Sequence, residues 1–188
     1  MRARYKRITY NPLVALQAMI PRSGLDHTES LTIAEVQATV LLKMVGVIRP
    51  PVPVPILAEY LDVGVECDPV ASVVGYHTLR DGNWYAGYSD ESPAARNATI
   101  AHQIKCILDD PFGDGLYPPV AVMATLLRKH HVAEYFAQCL TMPGPFVQQA
   151  WRRGERDVEQ LAKLFGVPTA SMLFRLKTLR LVETGHEL

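Results

Sequence analysis

The stretch Thr99–Cys106, TIAHQIKC, places two metal-binding types of side chain four residues apart. Residues four apart on a helix lie one turn apart on the same face, so His102 and Cys106 can reach a common ligand. A helix start precedes them, because Ser92 can cap a helix and the next residue is a proline. We therefore predict a helix over 93–108 that carries a candidate metal site.

The composition is that of an ordinary globular protein. Of the 188 residues, 48% are hydrophobic and 20% are charged, and 19 basic side chains balance 19 acidic ones. A net charge of zero gives no overall attraction to nucleic acid or to an anionic membrane, and no apolar run is long enough to predict a membrane span. The three cysteines are odd in number and far apart. We therefore expect no disulfide framework and a reducing, cytoplasmic setting.

Periodicity and turn-forming residues divide the chain into three parts. Residues 1–28 contain prolines and a glycine and are predicted to be irregular. Residues 29–145 begin with a helical apolar stripe, which predicts a helix from about Leu31 to Val45. Residues 146–188 are predicted to form a helical C-terminal subdomain with a break at Gly166.

The middle part also contains the strand-like segments of the chain. The Asp81-Gly82 pair predicts a hairpin turn, because both residues tolerate the positive φ of a tight turn. Strands are expected at 63–65, 72–78 and 83–88, and further helices at 55–61 and 120–140. The fold class is therefore predicted to be α+β.

Three motifs follow one another along the chain: RNATIAH at 96–102, AEYFAQCLTMP at 133–143 and LAKLFGVPTASMLFRLKTL at 161–179. Their order and spacing resemble the ImmA/IrrE family of bacterial and phage zinc metallopeptidases, whose motifs typically read R-x-x-F-T-L-A-H-E-L-G-H, E-x-x-A-N-x-F-A-x-x-L-L-M-P and L-A-x-x-F-x-V-S-x-x-A-M-x-x-R-L-x-x-L. The resemblance covers about residues 30 to 182. It implies a zincin-like fold, with a small sheet packed on the 93–108 helix and the 120–140 helix crossing it.

The resemblance also implies a metal site whose residues have changed. The family's first zinc-binding histidine falls on His102, its second on Cys106 and its third ligand, a glutamate, on His130. Imidazole and thiolate both bind zinc, so a His/Cys/His site is chemically reasonable. The alternative is that no metal is bound, with Cys106 a small buried residue and His102 a hydrogen-bonded core histidine.

Proteolysis is not expected, because the family's catalytic glutamate falls on Gln103. An amide cannot accept the proton of a metal-bound water, and a general base contributes roughly 10²–10⁴-fold to such a reaction. Glu91 and Glu134 lie nearby in the sequence, but we expect neither at the inward position. The resemblance then implies a catalytically degenerate regulatory protein that binds a partner, such as a transcription regulator or repressor, without cutting it. The alternative is an active, atypical zinc metallopeptidase.

A candidate docking surface lies just before the helix start at Ser92. If Asn83–Tyr88 is an edge strand, an extended segment of a partner protein can pair with its backbone. The predicted partner-binding residues are Trp84, Tyr85, Ala86 and Tyr88. The alternative is that the aromatic residues only pack the sheet.

The C-terminal segment has the spacing of a helix-turn-helix. Residues 151–182 hold seven basic and three acidic side chains, and the candidate nucleic-acid contacts are Lys163, Arg175, Lys177 and Arg180. The first residues of the second helix, 168–171, include no arginine, asparagine or glutamine that could make a bidentate hydrogen bond to a base edge. The segment is therefore interpreted either as a packing subdomain with a solvated basic face or as an element that contacts DNA non-specifically or with the help of a partner.

Overall fold

The structure is a computed structural model and describes residues 10–70, 73–89, 92–118 and 122–182. Its first element is helix α1 (Pro12–Gln17), whose N-terminus is capped by the Asn11 side chain. Leu13 and Leu16 of this helix are buried in the core. The prediction that residues 1–28 are irregular is therefore wrong over α1, while residues 1–9 lie outside the described residues.

Helix α2 (His27–Val45) begins with a reciprocal capping box. The Asp26 carboxylate accepts from the Glu29 amide, and the Glu29 carboxylate accepts from the Asp26 amide, both at 2.8 Å. This cap starts the helix four residues before the predicted Leu31. The helix ends at Gly46, which adopts a left-handed conformation, and the short helix α3 (Val54–Tyr60) follows.

The sheet has three strands, β1 (Val63–Cys67), β2 (Gly75–Arg80) and β3 (Asn83–Tyr88), in the order β1-β3-β2. Strand β3 pairs in parallel with β1 and antiparallel with β2. Asp81 and Gly82 join β2 to β3 with φ values of 51° and 79°, the pattern of a type I′ turn, so the predicted hairpin is confirmed. The sheet is therefore small and mixed.

The prediction that 83–88 is an edge strand is wrong. Strand β3 is central, because β1 occupies the side that the hairpin leaves open. Ala86 is fully buried, and the two aromatic residues Trp84 and Tyr88 pack against the main core. Tyr85 is partly covered by the Arg80 guanidinium, 4.0 Å from its ring centroid. The proposed partner-binding residues thus pack the sheet, and the edges of the described sheet are β1 and β2.

Helix α4 (Pro93–Asp109) begins at the predicted Ser92 cap and packs against the sheet and against helix α5 (Val122–Thr141). A 3-10 segment, Asp110–Gly115, follows α4. One face of α4 is entirely inaccessible to solvent; it comprises Ile100, Ala101, Ile104, Ile107 and Leu108. This apolar face fixes the helix that carries His102 in the centre of the domain.

Three further helices, α6 (Gly144–Arg152), α7 (Val158–Phe165) and α8 (Thr169–Thr178), follow α5. They share a second apolar core, made of Met142, Val147, Leu161, Ala162, Phe165, Val167, Met172 and Leu176. Arg175 is only 1% exposed, and its Nε donates to the Met142 carbonyl at 3.0 Å. Arg175 therefore anchors α8 to the end of α5 and is not available to nucleic acid, in contrast to its predicted role.

A buried polar network joins α4 to α2 and to the segment after α4. Lys105 is 1% exposed, and its Nζ donates to Gln37 Oε1 at 2.9 Å and to Asp109 Oδ1 at 2.6 Å. Tyr117 donates its hydroxyl to the other carboxylate oxygen of Asp109 at 2.6 Å. Burial lowers the pKa of Lys105, against the opposing effect of the neighbouring Asp109 carboxylate. The buried positive charge of Lys105 is therefore balanced by the Asp109 carboxylate.

Replacing Asp109 by Ala should lower the free energy of unfolding by roughly 3 kcal/mol, because it leaves a buried charge without its counter-ion. Asp110→Ala is the matched control: the adjacent residue is exposed, and the expected change is within about 0.5 kcal/mol. Urea unfolding followed by circular dichroism measures both variants. Equal losses in the two would show that the network does not stabilise the fold.

Candidate functional site

A cleft opens where β2, α4 and α5 meet. Its volume is about 260 Å³, and it is lined by Val74, Gly75, Ala98, Thr99, His102, Gln103, His130 and Glu134. Both histidines predicted as metal ligands, and the glutamine at the position of the family's catalytic base, are in this lining. The cleft is therefore the candidate functional site.

The two histidines come from different helices and lie side by side. The ring centroids of His102, on α4, and His130, on α5, are 4.9 Å apart. The His102 side chain is 15% exposed, and its Nδ1 lies 3.8 Å from Glu134 Oε2, an ion-pair distance rather than a hydrogen bond. The adjacent imidazole lowers the pKa of the Glu134 carboxyl, which favours its ionised form.

The prediction that Glu134 does not point inward is wrong, because its side chain lines the cleft. His130 and Glu134 are four residues apart on α5, so both share the face that lines the cleft. In the family pattern the position of Glu134 belongs to an asparagine, and for that reason the motif gave no signal for a carboxylate here. Glu91, the other nearby acid considered, lies outside the described residues.

Cys106 does not line this cleft. It lines a separate cavity of about 160 Å³, together with His77, Asp109, Tyr117, Lys129 and three neighbouring residues. Burial raises the pKa of the Cys106 thiol to about 12. Within the described residues, no three His, Cys, Asp or Glu side chains already form a metal-ligand set. The structure brings His102 and His130 together. A metal site made of His102, Cys106 and His130 stays a prediction.

Gln103 is buried, with 7% exposure, and its amide is engaged by the sheet. The side-chain oxygen Oε1 lies 3.1 Å from His77 Nδ1. Because an amide oxygen can only accept, His77 Nδ1 carries the hydrogen and donates it. His77 was missed by the sequence analysis, although strand alternation places it on the same face as Gly75.

Gly75 allows β2 to approach α4 closely. A Cβ at this position would lie 2.4 Å from Thr99 Cγ2, 3.0 Å from Gln103 Nε2 and 3.2 Å from the Gly87 carbonyl oxygen. A side chain of any size would therefore push the strand away from the helix. The contact between His77 and Gln103 depends on this close approach.

Comparisons with known proteins agree with this architecture. The family model for the IrrE N-terminal-like domain, Peptidase_M78, matches residues 87–177, a segment that contains β3 in part, α4, α5 and the helices up to α8. The resemblance of this chain to the ImmA/IrrE family is thereby confirmed over that segment. No curated protein matches the sequence significantly.

Solved structures match as well, and one is a Mycobacterium tuberculosis transcriptional regulator. It is 16% identical with a TM-score of 0.59, and the match covers 88% of this chain and 51% of that protein. This chain thus spans about half the length of the regulator, and the likeness shows a shared fold. Among the residues that the structure describes, no helix combines the length and apolar character of a membrane span.

Gly75→Ala should destabilise the protein by about 1–3 kcal/mol, because the new methyl group overlaps Thr99 and the Gly87 carbonyl. Gly115→Ala serves as the control, since a Cβ there meets nothing within 4 Å, and it should change the unfolding free energy by less than about 0.5 kcal/mol. Chemical denaturation of both variants gives the two values. A Gly75→Ala protein as stable as the control would mean that β2 does not need this close approach.

Proposed function

We propose that this chain is a regulatory protein that binds a partner, a transcription regulator or repressor, in the α4–α5–β2 cleft without cutting it. The observation that carries the proposal is Gln103. An amide stands where the related peptidases have their general base, and its oxygen accepts a hydrogen bond from His77. The cleft itself remains open beside it.

The backbone edge of β2 supports the binding part of the proposal. Ser89, which directly follows β3, donates its amide hydrogen to the Val74 carbonyl at 3.0 Å. The backbone carbonyl of Val74 therefore points to the β3 side of the sheet. Backbone direction alternates along an antiparallel strand, and the groups of Gly75, His77 and Leu79 therefore point to the open edge. An extended segment of a partner can pair with these groups, and the strand begins at the cleft, since Val74 and Gly75 line it.

The likeness to the Mycobacterium tuberculosis protein supports a role connected with transcription. That protein is called a transcriptional regulator, and it shares the fold of this chain. The family resemblance points in the same direction, since members of the ImmA/IrrE family typically act on repressors. The fold that this chain shares with that regulator is thus the basis on which a role in controlling transcription is proposed.

A second candidate function, an active and atypical zinc metallopeptidase, is favoured by Glu134. Its carboxylate lines the cleft beside His102 and could accept a proton. However, the neighbouring imidazole lowers the pKa of the Glu134 carboxyl, which is the opposite direction to the raised pKa that favours a general base near neutral pH. Binding without cutting is therefore the better-supported function.

DNA binding through the C-terminal helices is the weaker alternative. Lys163, Lys177 and Arg180 are exposed, but Arg175 is buried against the Met142 carbonyl. Exposed cations of this kind supply charge for contacts to phosphates, and residues 168–171 at the start of α8 include no side chain that could read a base edge through two hydrogen bonds. The basic face is accordingly better explained as solvated surface.

Leu79→Pro tests the docking edge. Proline removes an amide that points away from β3, and an edge position with its N–H facing outward tolerates it, so the domain should stay folded. We expect the affinity for the partner, first isolated by co-purification with the full chain and identified, to fall at least roughly tenfold, the equivalent of one net hydrogen bond of about 1.4 kcal/mol.

The matched control is Leu79→Ala, which keeps the amide and removes the half-exposed side chain. Isothermal titration calorimetry compares both variants with the wild type, and circular dichroism checks their folding. A folded Leu79→Pro variant that binds like Leu79→Ala would place the partner on another surface.

A further inference from the structure

Helix α8 carries two apolar faces, although the fold uses only one of them. Its inner face holds Met172 and Leu176, both fully buried in the second apolar core. Its outer face holds Leu173 and Phe174, which are 39% and 53% exposed. A surface helix of a globular protein normally has one apolar stripe towards the core and polar residues on the opposite side. The outer apolar face of α8 is therefore not explained by the packing of the C-terminal helices.

The exposed side chains of α8 follow helical spacing. Ala170, Leu173, Phe174 and Lys177 occupy positions i, i+3, i+4 and i+7, and all four are exposed. Residues with this spacing are neighbours on one side of a helix, and we call these four residues the outer stripe. Single apolar residues are common on a protein surface, whereas grouped apolar residues bordered by polar ones mark interaction sites. The outer stripe therefore has the pattern of a docking surface.

The charge of this part of the chain has a single sign. From Gln160 to Val182 the sequence contains four basic residues and no acidic residue. Arg175 is buried, which leaves Lys163, Lys177 and Arg180 exposed. An apolar surface with only positive charge is complementary to an apolar surface with negative charge. The charge thus selects an acidic partner for the outer stripe.

The acidic side chains that precede this segment serve the start of α7. The Asp157 carboxylate accepts from the Glu159 and Gln160 amides at 2.7 and 3.2 Å, and Glu155 accepts from the Asp157 amide at 3.2 Å. Negative charge at a helix N-terminus complements the helix dipole. These carboxylates therefore have a local role, and α8 itself presents no negative charge to a partner.

The shape of the outer stripe favours a helix as its occupant. Helix α8 has 10 residues, and side chains at i, i+3 and i+4 form ridges that pack into the grooves of another helix. A second copy of this chain, docked through its own α8, would offer no carboxylate from that helix to pair with Lys177. The phosphates of DNA would pair with the cations and leave Leu173 and Phe174 without an apolar partner.

We propose that the outer stripe docks an amphipathic helix of another protein, whose apolar face is bordered by aspartates or glutamates. Leu173 and Phe174 bury against the apolar face of that helix, and Lys177 pairs with a carboxylate at its border. The stripe is solvated in the free chain and covered in the complex. It shares no residue with the lining of the cleft between α4, α5 and β2, and the proposal does not depend on what the cleft binds.

The test uses two synthetic helical peptides of roughly 15 residues, each with leucines along one face. One peptide has glutamates at the borders of that face, and the other has lysines at the same positions. Fluorescence anisotropy of the labelled peptides measures the affinity of each for the full chain. We expect the glutamate peptide to bind at least roughly tenfold more tightly, because its carboxylates pair with the exposed cations while the lysines of the other peptide are repelled.

Three variants of the full chain locate the bound peptide. Phe174→Ser should weaken binding of the glutamate peptide roughly tenfold or more, because the ring no longer buries against it. Lys177→Glu should reduce the preference for the glutamate peptide over the lysine peptide by at least roughly threefold. Ile56→Ser is the matched control: Ile56 is 54% exposed on α3, and this variant should bind like wild type.

Circular dichroism checks that the variants are folded, and Leu173→Ser replaces Phe174→Ser if the latter does not fold. The proposal would be overturned by equal affinity for the two peptides, by no binding of either, or by equal losses in Phe174→Ser and Ile56→Ser. A dimer of the chain alone that Phe174→Ser dissociates in analytical ultracentrifugation would assign the stripe to a second copy instead. Binding of duplex DNA that Lys177→Glu abolishes and Phe174→Ser leaves unchanged would make it a phosphate-binding surface.

Discussion

The burial of helix α4 is the constraint on which the rest of the structure depends. Its apolar face, from Ile100 to Leu108, is closed off from solvent by the sheet and by α5. Because that face is fixed, His102 and Gln103 must point towards β2 and α5. Lys105 also fixes the helix, because it joins α4 to Gln37 of α2 through a buried hydrogen bond. The site is thus built on a helix that cannot rotate without breaking the core.

The glutamine at position 103, where the related peptidases have a glutamate, can keep the packing of the cleft while it removes the general base. A glutamate and a glutamine have nearly the same shape, so Gln103 fills the same space between α4 and β2. The amide, unlike an ionised carboxylate, can be buried against Gly75 and His77 without a charge to compensate. Packing and catalysis are therefore separable at this position, which is why the cleft is proposed as a binding surface.

Local signals in the sequence predicted local structure well, because one or two side chains decide each of them. Asp81-Gly82 forms the predicted hairpin turn, Ser92 caps α4 and Gly166 ends α7 with a left-handed residue. What could not be predicted depends on partners far away in the chain. The central position of β3 follows from its pairing with β1. The face that Glu134 shares with His130 could be read from their spacing of four residues, but the presence of both in the cleft depends on the packing of α5 beside α4. The motif alignment did predict that His102 and His130 are neighbours, and it failed for the side chain that occupies the family's asparagine position.

The most direct test of the central claim, that the cleft binds without cutting, is the intact mass of the bound partner. The full chain is incubated with its purified partner and zinc for several hours, and the partner is then weighed by mass spectrometry. The account predicts an unchanged mass, since Gln103 cannot serve as the base. Specific fragments that disappear on addition of a chelator, and that are not produced by His102→Ala, would contradict it.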